Sequence, residues 1–169
     1  QFTFGRRWRK IMLRNADLTR NLKSAEATRE QFRLLRNYLA SRHADGGMAE
    51  MTFADYVAMV EESAVHTHMV EYRFSGGPKS GALAGVALVD ALGDGLSMVY
   101  SFFDPEESRR SPGIYVILDH IQQARAAGFG YVYLGYWIPG SEKMHYKAEF
   151  RPLELLLGGE WRPYEPVQF

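Results

Sequence analysis

Apolar and polar positions along this chain follow two different rhythms, and each change of rhythm marks the edge of an element. Through "SAEATREQFRLLRNYLASRH" apolar residues recur at helical spacing (Phe32, Leu35, Leu39) and stop before the breaker "DGG", which predicts a helix. "MTFADYVAMVEES" predicts a second helix, with the Thr52 hydroxyl placed to cap its first amides. The pattern then becomes strand-like: "HTHMVEYRF", "GALAGVALVDAL" and "LSMVYSFFD" predict three strands, and "SGGPKSG" and "GDG" between them are hairpin signals. "PGIYVILDHIQQARAAG" returns to a helix, with Pro112 near its first turn and Gly128 after its last. "YVYLGYWI" reads as a buried strand, "GSEKMHYKAEF" as a short helix or ordered loop, and "PLELLL" and "EWRPYEP" as closing strands. Upstream of all these, "RRWRKIMLRN" predicts a helix and "ADLTRNL" a short strand.

From that short strand onward the order is β-α-α-β-β-β-α-β-α-β-β, an antiparallel meander leading into one parallel β-α-β crossover. The expected class is α+β with a mixed sheet and helices on both faces. This order resembles the GNAT (acyl-CoA N-acyltransferase-like) fold. The resemblance implies that the two parallel strands splay apart to admit an acyl donor, with the crossover helix pointing its N-terminus at that donor. Residues 1–24 are expected to be a basic arm leading into the fold, and residues 25–169 the GNAT-like domain.

Composition narrows the classes. At 169 residues and 46% hydrophobic the chain suits one domain with a full core. It has no cysteine, so neither a disulfide framework nor a thiolate metal site can form from it. No stretch reads as a signal peptide or reaches transmembrane length, so a cytoplasmic protein without a membrane partner is expected. The first residue is Gln1 rather than Met, which suggests a piece of something longer. The net charge of zero hides an asymmetry: residues 1–36 hold ten Lys/Arg against three acids, +7, leaving −7 for the rest. A basic arm on an acidic body suggests a polyanion such as nucleic acid, although a solvated helical face has the same composition. Trp8 inside "RRWRK" favours RNA, since an aromatic ring among arginines can stack on a base.

The chemistry concentrates in "DPEESRRSPGIYVILDHI", a charged loop opening into the crossover helix. Free amides and the positive helix end suit a phosphate or ester oxygen, and Arg109 and Arg110 add charged donors. A CoA enzyme usually carries a glycine-rich pyrophosphate loop, whereas "RRSPG" offers only Gly113. The alternative is a plain capping loop, with Ser111 as N-cap and an arginine paired to Glu106 or Glu107.

"DPEESRRSPG" and "YLGYWIPGSEKMHYKAEFRPLE" together resemble the arginyl/leucyl-tRNA–protein transferase family. Its bacterial branch reads like S-x-V-Y-x-F-x-D-P-x-x-x-x-R-S-L-G and Y-L-G-Y-W-[IV]-x-G-S-x-K-M-x-Y-K-x-x-F-x-P-L-E. The likeness covers nearly the whole chain, from "FTFGRRWRKIMLRNADL" through "RHADGGM" to "EW". It implies transfer of an amino acid from its tRNA to the α-amine of proteins starting with Asp or Glu, which marks them for N-degron degradation. Pro112 stands where the family has leucine, and "FTFGRRW" matches F-x-P-S-R-S-Q only loosely. Family members also carry an N-terminal domain whose cysteine cluster binds a metal or an iron–sulfur centre. This chain lacks those residues, as a natural short form or a trimmed piece would, so no cofactor is expected beyond the aminoacyl-tRNA co-substrate, and an iron–sulfur or metal centre only if that N-terminal domain is present.

The resemblance implies roles for individual residues. "YWIPGSEKMHYK" looks like the bacterial leucyl form rather than the cysteine-bearing arginyl form, and Tyr136, Trp137, Ile138, Met144 and Phe150 could make a leucine pocket. Glu142 and Glu149 would serve an arginine donor instead, while Tyr133 and Leu134 are expected in the core. Lys143, Tyr146 and Lys147 would hold the CCA end. Arg6, Arg9 and Lys10 line up with basic positions, and Arg110, Ser111 and Gly113 form the helix mouth. Arg6, Arg9 or Arg109 would meet the acidic N-terminus. Tyr100 and Tyr136 are candidate proton donors to the departing 3′ oxygen. Asp104 is a candidate to orient the amine, and backbone amides around Phe102–Asp104 a candidate oxyanion site. No metal site is expected, since His66 and His68 share a strand face without a third ligand. Arginyl transfer, acetyl-CoA chemistry and a non-catalytic tRNA- or degron-binding module remain the alternatives.

Overall fold

A computed structural model describes residues 1–42, 46–142 and 144–165. They form two compact units, Arg6–Gly135 and, separately, Gln1–Gly5 with Tyr136–Phe169.

In the larger unit the elements run α1 (Arg6–Arg14), β1 (Leu18–Ser24), α2 (Arg29–Arg42), α3 (Phe53–Glu61), β2 (His66–Phe74), β3 (Leu83–Ala91) and β4 (Gly95–Phe103). A 3-10 turn (Pro105–Arg110) follows, then α4 (Pro112–Ala126) and β5 (Tyr131–Tyr133). The sheet order is β1-β2-β3-β4-β5, antiparallel except for the parallel β4–β5 pair joined through α4. This is the mixed α+β, GNAT-like sheet that the element order predicts, and "ADLTRNL" supplies its edge strand.

Helices cover both faces. Met69, Val86, Leu88 and Phe102 pack against Leu35 and Leu39 of α2 and Tyr56 and Val60 of α3. Each such buried side chain contributes roughly 1.5–3 kcal/mol. On the other face α4 is tied down by polar contacts. The Tyr72 hydroxyl of β2 donates to Asp119 at 2.7 Å, and Arg20 of β1 donates to the same carboxylate at 3.0 Å.

Helix starts follow from capping chemistry. Thr52 and Asp55 form a capping box at α3. α2 begins at Arg29 rather than at Ser24, because Ser24 belongs to β1 and "TREQ" makes its own box. There Gln31 N–H donates to Thr28 Oγ1 at 3.2 Å, and Thr28 N–H donates to Gln31 Oε1 at 2.9 Å. Gln31 also joins the buried Glu71 (2.9 Å) and Tyr56 (3.1 Å), locking α2 and α3 to β2.

The parallel pair is short. Only Gly95–Tyr131, Leu96–Val132 and Ser97–Tyr133 are partners, and β4 then continues to Phe103 without β5, paired only with β3 on its other edge. The strand expected over "YVYLGYWI" therefore stops at Tyr133, and its residues are half-buried or exposed rather than core. Gly135, at φ +72°, turns the chain out of the strand path. At the base of the pair a Cβ on Gly95 would lie 2.5 Å from the Tyr131 carbonyl oxygen, so the pairing requires glycine there.

In the smaller unit β6 (Glu154–Leu157) and β7 (Glu160–Pro163) form their own antiparallel hairpin rather than adding to the main sheet. Gly158 and Gly159, at φ +61° and +86°, make the two-residue turn between them. The "GSEKMHYKAEF" segment contains a 3-10 turn, His145–Glu149.

Candidate functional site

The divergence of β4 from β5 opens the sheet at the C-terminal end of β4, and the loop from Asp104 to Gly113 borders that opening. Asp104 ends the strand. Its N–H donates to Ala84 O at 2.9 Å, so this amide is spent on the sheet and is not available as an oxyanion donor. Its carboxylate accepts the Glu106 N–H at 3.0 Å and lies 3.3 Å from Lys79 Nζ. Lys79, at the β2–β3 turn, also meets Glu107 at 2.9 Å and Glu106 at 3.3 Å, and these hydrogen bonds push its pKa upward.

Arg110 is committed within the unit. Nη2 donates to Asp17 Oδ2 at 2.9 Å, Nε lies 2.7 Å from Glu107 and Nη1 donates to Arg14 O at 3.1 Å. The Arg110 guanidinium holds the Asp17 carboxyl below its ordinary value. To grip a phosphate Arg110 would have to exchange one of these carboxylates. This is the arginine–Glu107 pairing of the capping-loop alternative. Arg109 is exposed and its side chain has no partner among the described residues.

Ser111 takes the N-cap position of α4 in the left-handed region (φ 55°), but its side chain makes no cap hydrogen bond. Its N–H donates instead to Ser108 O at 3.0 Å. Gly113 lets the first turn of α4 close on the strand, since a Cβ there would lie 3.3 Å from the Phe103 ring. Beneath this turn Asn15 is fully buried and donates to Ile11 O (2.9 Å) and Arg110 O (3.0 Å), joining α1 to the loop.

Tyr100 is half-buried on the α2 side of β4, 6.4 Å from the Phe102 ring. Burial pushes its pKa up to about 12, so the phenol stays protonated at neutral pH. Arg6, Arg9 and Lys10 lie exposed along α1, and their side chains have no partner among the described residues. Arg7 lies over the Trp8 ring at 4.7 Å.

In the smaller unit Tyr136 is 91% exposed, and its carbonyl accepts a hydrogen bond from Lys147 Nζ at 2.7 Å. Burial lowers the Lys147 pKa. Trp137 packs edge-on against Tyr164 at 5.2 Å, and its buried indole N–H has no partner among the described residues. Phe150 is buried and stacks on Phe2 at 6.1 Å, whereas Ile138 is exposed. Met144 precedes the 3-10 turn that carries the half-buried Tyr146. Lys143 lies outside the described residues.

Asp17, Lys79 and Asn15 were not singled out from sequence. Asp17 is one of only three acids in the basic first 36 residues, which is a usable signal. Lys79 sits in a turn segment with no local mark.

Among the described residues no three His, Asp or Glu side chains stand where they could hold a metal ion. With no cysteine, these residues do not fit an iron–sulfur cluster. Among the described residues no helix is long and apolar enough to cross a membrane.

A mixed sheet whose parallel pair is joined by a crossover helix and parts after three residue pairs defines a GNAT-like fold. Residues 30–157 match the family described as arginine-tRNA-protein transferase, C terminus, and the chain belongs to that family. It is 61% identical over 163 residues to an aspartate/glutamate leucyltransferase of Phenylobacterium zucineum, covering 95% of this chain and 63% of that protein. A relative of the same name in Caulobacter vibrioides is 60% identical over 164 residues, covering 95% of this chain and 58% of that protein. One in Maricaulis maris is 52% identical over 168 residues, covering 99% and 65%. The chain thus spans about three fifths of the length of these curated relatives.

Proposed function

We propose that the protein moves leucine from leucyl-tRNA to the α-amine of proteins whose N-terminal residue is Asp or Glu, in the cytoplasm. The supporting observation is the identity of 61% over 95% of the chain to a relative named for that acidic-substrate specificity. An aminoacyl ester is already activated, so the protein's task is to align a neutral amine with the carbonyl and stabilise the charge that develops. The amine nitrogen attacks the ester carbon, the C–N bond forms, and the bond to the terminal ribose oxygen breaks. An ordinary α-amine pKa near 8 lets water take the ammonium proton at about neutral pH. Tyr100, held protonated by burial, is suited to give a proton to the departing ribose oxygen, and the proton that the nitrogen loses on becoming an amide restores the phenol. The Asp104 carboxylate, at the end of the splayed strand, is suited to orient the amine. Arg6, Arg9, Lys10 and Arg109 offer uncommitted cations to the RNA phosphates.

An acetyl-CoA reading is less favoured, because "RRSPG" has a single glycine and the Ser111 amide is already bonded to Ser108. Thermal shift separates the donors. Charged leucyl-tRNA should raise Tm at concentrations where acetyl-CoA leaves it unchanged. Stabilisation by acetyl-CoA alone would reverse the assignment.

A further inference from the structure

An open groove of about 450 Å³ runs between α2 and the loop after β4, within the size range of small-ligand sites. Glu30, Arg33 and Asn37 line it from α2, spaced so that they share one helix face. Asp104 and Glu106 line it from the loop. Leu34 and Leu83 add apolar surface between them.

Charge decides what suits this groove. Three carboxylates and one guanidinium line it, and Arg73 and Lys79 pair with those carboxylates and offset the excess negative charge, so the groove suits a ligand carrying both signs of charge. Glu30 is held by Arg73 through hydrogen bonds of 3.0 and 2.7 Å, so it is occupied. Asp104 and Glu106 each meet Lys79 at 3.3 Å and keep acceptor sites unused. The Arg33 and Asn37 side chains are exposed and make no hydrogen bond among the described residues, although the Arg33 charge helps to lower the pKa of Glu30 one turn away. The groove therefore combines spare carboxylate acceptors on one wall with a guanidinium and an amide on the other whose donors are unused among the described residues. An N-terminal Asp or Glu carries the complementary pair, an α-ammonium and a side-chain carboxylate a few bonds apart.

We infer that this groove receives the acceptor's N-terminal residue, with its amine against Asp104 and Glu106 and its acidic side chain against Arg33 and Asn37. This rests on the leucyl-transfer reading and extends it by assigning the acceptor site and its specificity residue. The basic helix α1 packs with α4, on the sheet face opposite α2. The polyanionic donor and the amine acceptor would thus approach from opposite faces and meet where β4 leaves β5. A guanidinium fork accepts a carboxylate in bidentate fashion, and its flexible stem absorbs the extra methylene of Glu. An Asn-starting peptide offers Arg33 a neutral amide and loses the charge-assisted part.

Steady-state leucyl transfer tests this, using the protein with leucyl-tRNA and peptides starting with Asp, with Asn and with N-acetyl-Asp. Arg33→Ala should raise KM for the Asp peptide about tenfold or more, as loss of a charge-assisted contact does. It should also narrow the Asp-over-Asn preference, with KM for leucyl-tRNA unchanged. Arg33→Lys should restore part of that preference. Asn37→Ala should act in the same direction, more weakly. Arg33 is exposed, and a melting curve matching wild type shows that folding is intact. Transfer that persists in Arg33→Ala with unaltered KM and preference overturns the groove assignment alone. Failure of the wild-type protein to transfer to any peptide removes the leucyl-transfer reading, and this inference with it.

Discussion

Arg110 joins two segments far apart in the chain, and cutting that joint has consequences that can be worked out from its contacts. Its fork holds Asp17, just before β1, while its Nε holds Glu107 one turn earlier in its own loop. The Arg110 side chain is 27% exposed and that of Asp17 45%, so neither the fully exposed nor the buried limit applies. Exposed pairs contribute about 0.2–1 kcal/mol, whereas breaking a buried pair costs about 3–5 kcal/mol. A bidentate, half-exposed pair falls between them, and Arg110→Ala should cost about 1–2 kcal/mol of stability, or roughly 2–8 °C in Tm. Asp17→Asn should cost less, since Glu107 still holds the arginine. The double variant should be less destabilised than the sum of the two by roughly 0.5–1 kcal/mol. Urea denaturation of the four proteins measures this cycle. Arg109→Ala should stay within about 0.5 kcal/mol of wild type, as a surface change does. Strict additivity of Arg110→Ala and Asp17→Asn would refute the coupling. If Arg110 instead gripped RNA directly, Asp17→Asn would free it and strengthen tRNA binding, whereas a positioning role predicts that both variants weaken it.

Other perturbations test other parts of the molecule. The fully buried His120 donates from Nδ1 to Val116 O at 2.7 Å, leaving Nε2 without a partner among the described residues, and burial lowers its pKa below 6.5. Its contribution to stability is therefore complete above pH 6.5 and lost as pH falls toward the lowered folded value. Melting curves should show a loss of at most about 1.4 kcal/mol per pH unit there, and His120→Leu should remove it. Gly95→Ala puts a methyl 2.5 Å from Tyr131 O and should cost about 1–3 kcal/mol; unchanged urea unfolding would contradict the close β4–β5 approach. Arg9→Ala with Lys10→Ala should flatten the log–log salt dependence of tRNA binding by about one to two units, at roughly 0.7–0.9 per phosphate. An unchanged slope would leave α1 a solvated face.

Local rules made much of the fold legible. The meander, the crossover helix opened by Pro112 and the cap at Thr52 all follow from signals within a few residues. The misread boundaries have physical causes. "YVYLGYWI" is apolar enough for a strand, but strand length depends on a partner, and β4 pairs with it at only three positions. "TREQ" was a readable capping box hidden inside a longer helical pattern. The site was less legible, because its organisation is long-range. Nothing near "RRSPG" announces that Arg110 is occupied by Asp17 or that Lys79 gathers three loop carboxylates. Nor does α2 announce that Arg33 and Asn37 face Asp104 and Glu106 across a groove. Residue type nominated the loop, while tertiary contact decided which of its charges remain free.

Mass analysis of one peptide reads transfer of leucine from tRNA to an acidic N-terminus directly. The protein would be incubated with an Asp-starting peptide, tRNA, leucine, arginine, ATP, both cognate synthetases and acetyl-CoA. The expected product is heavier by one leucyl residue on its N-terminal amine, dependent on tRNA and absent for an N-acetylated peptide. An arginyl or acetyl adduct in its place, or an unmodified peptide, would contradict leucyl transfer.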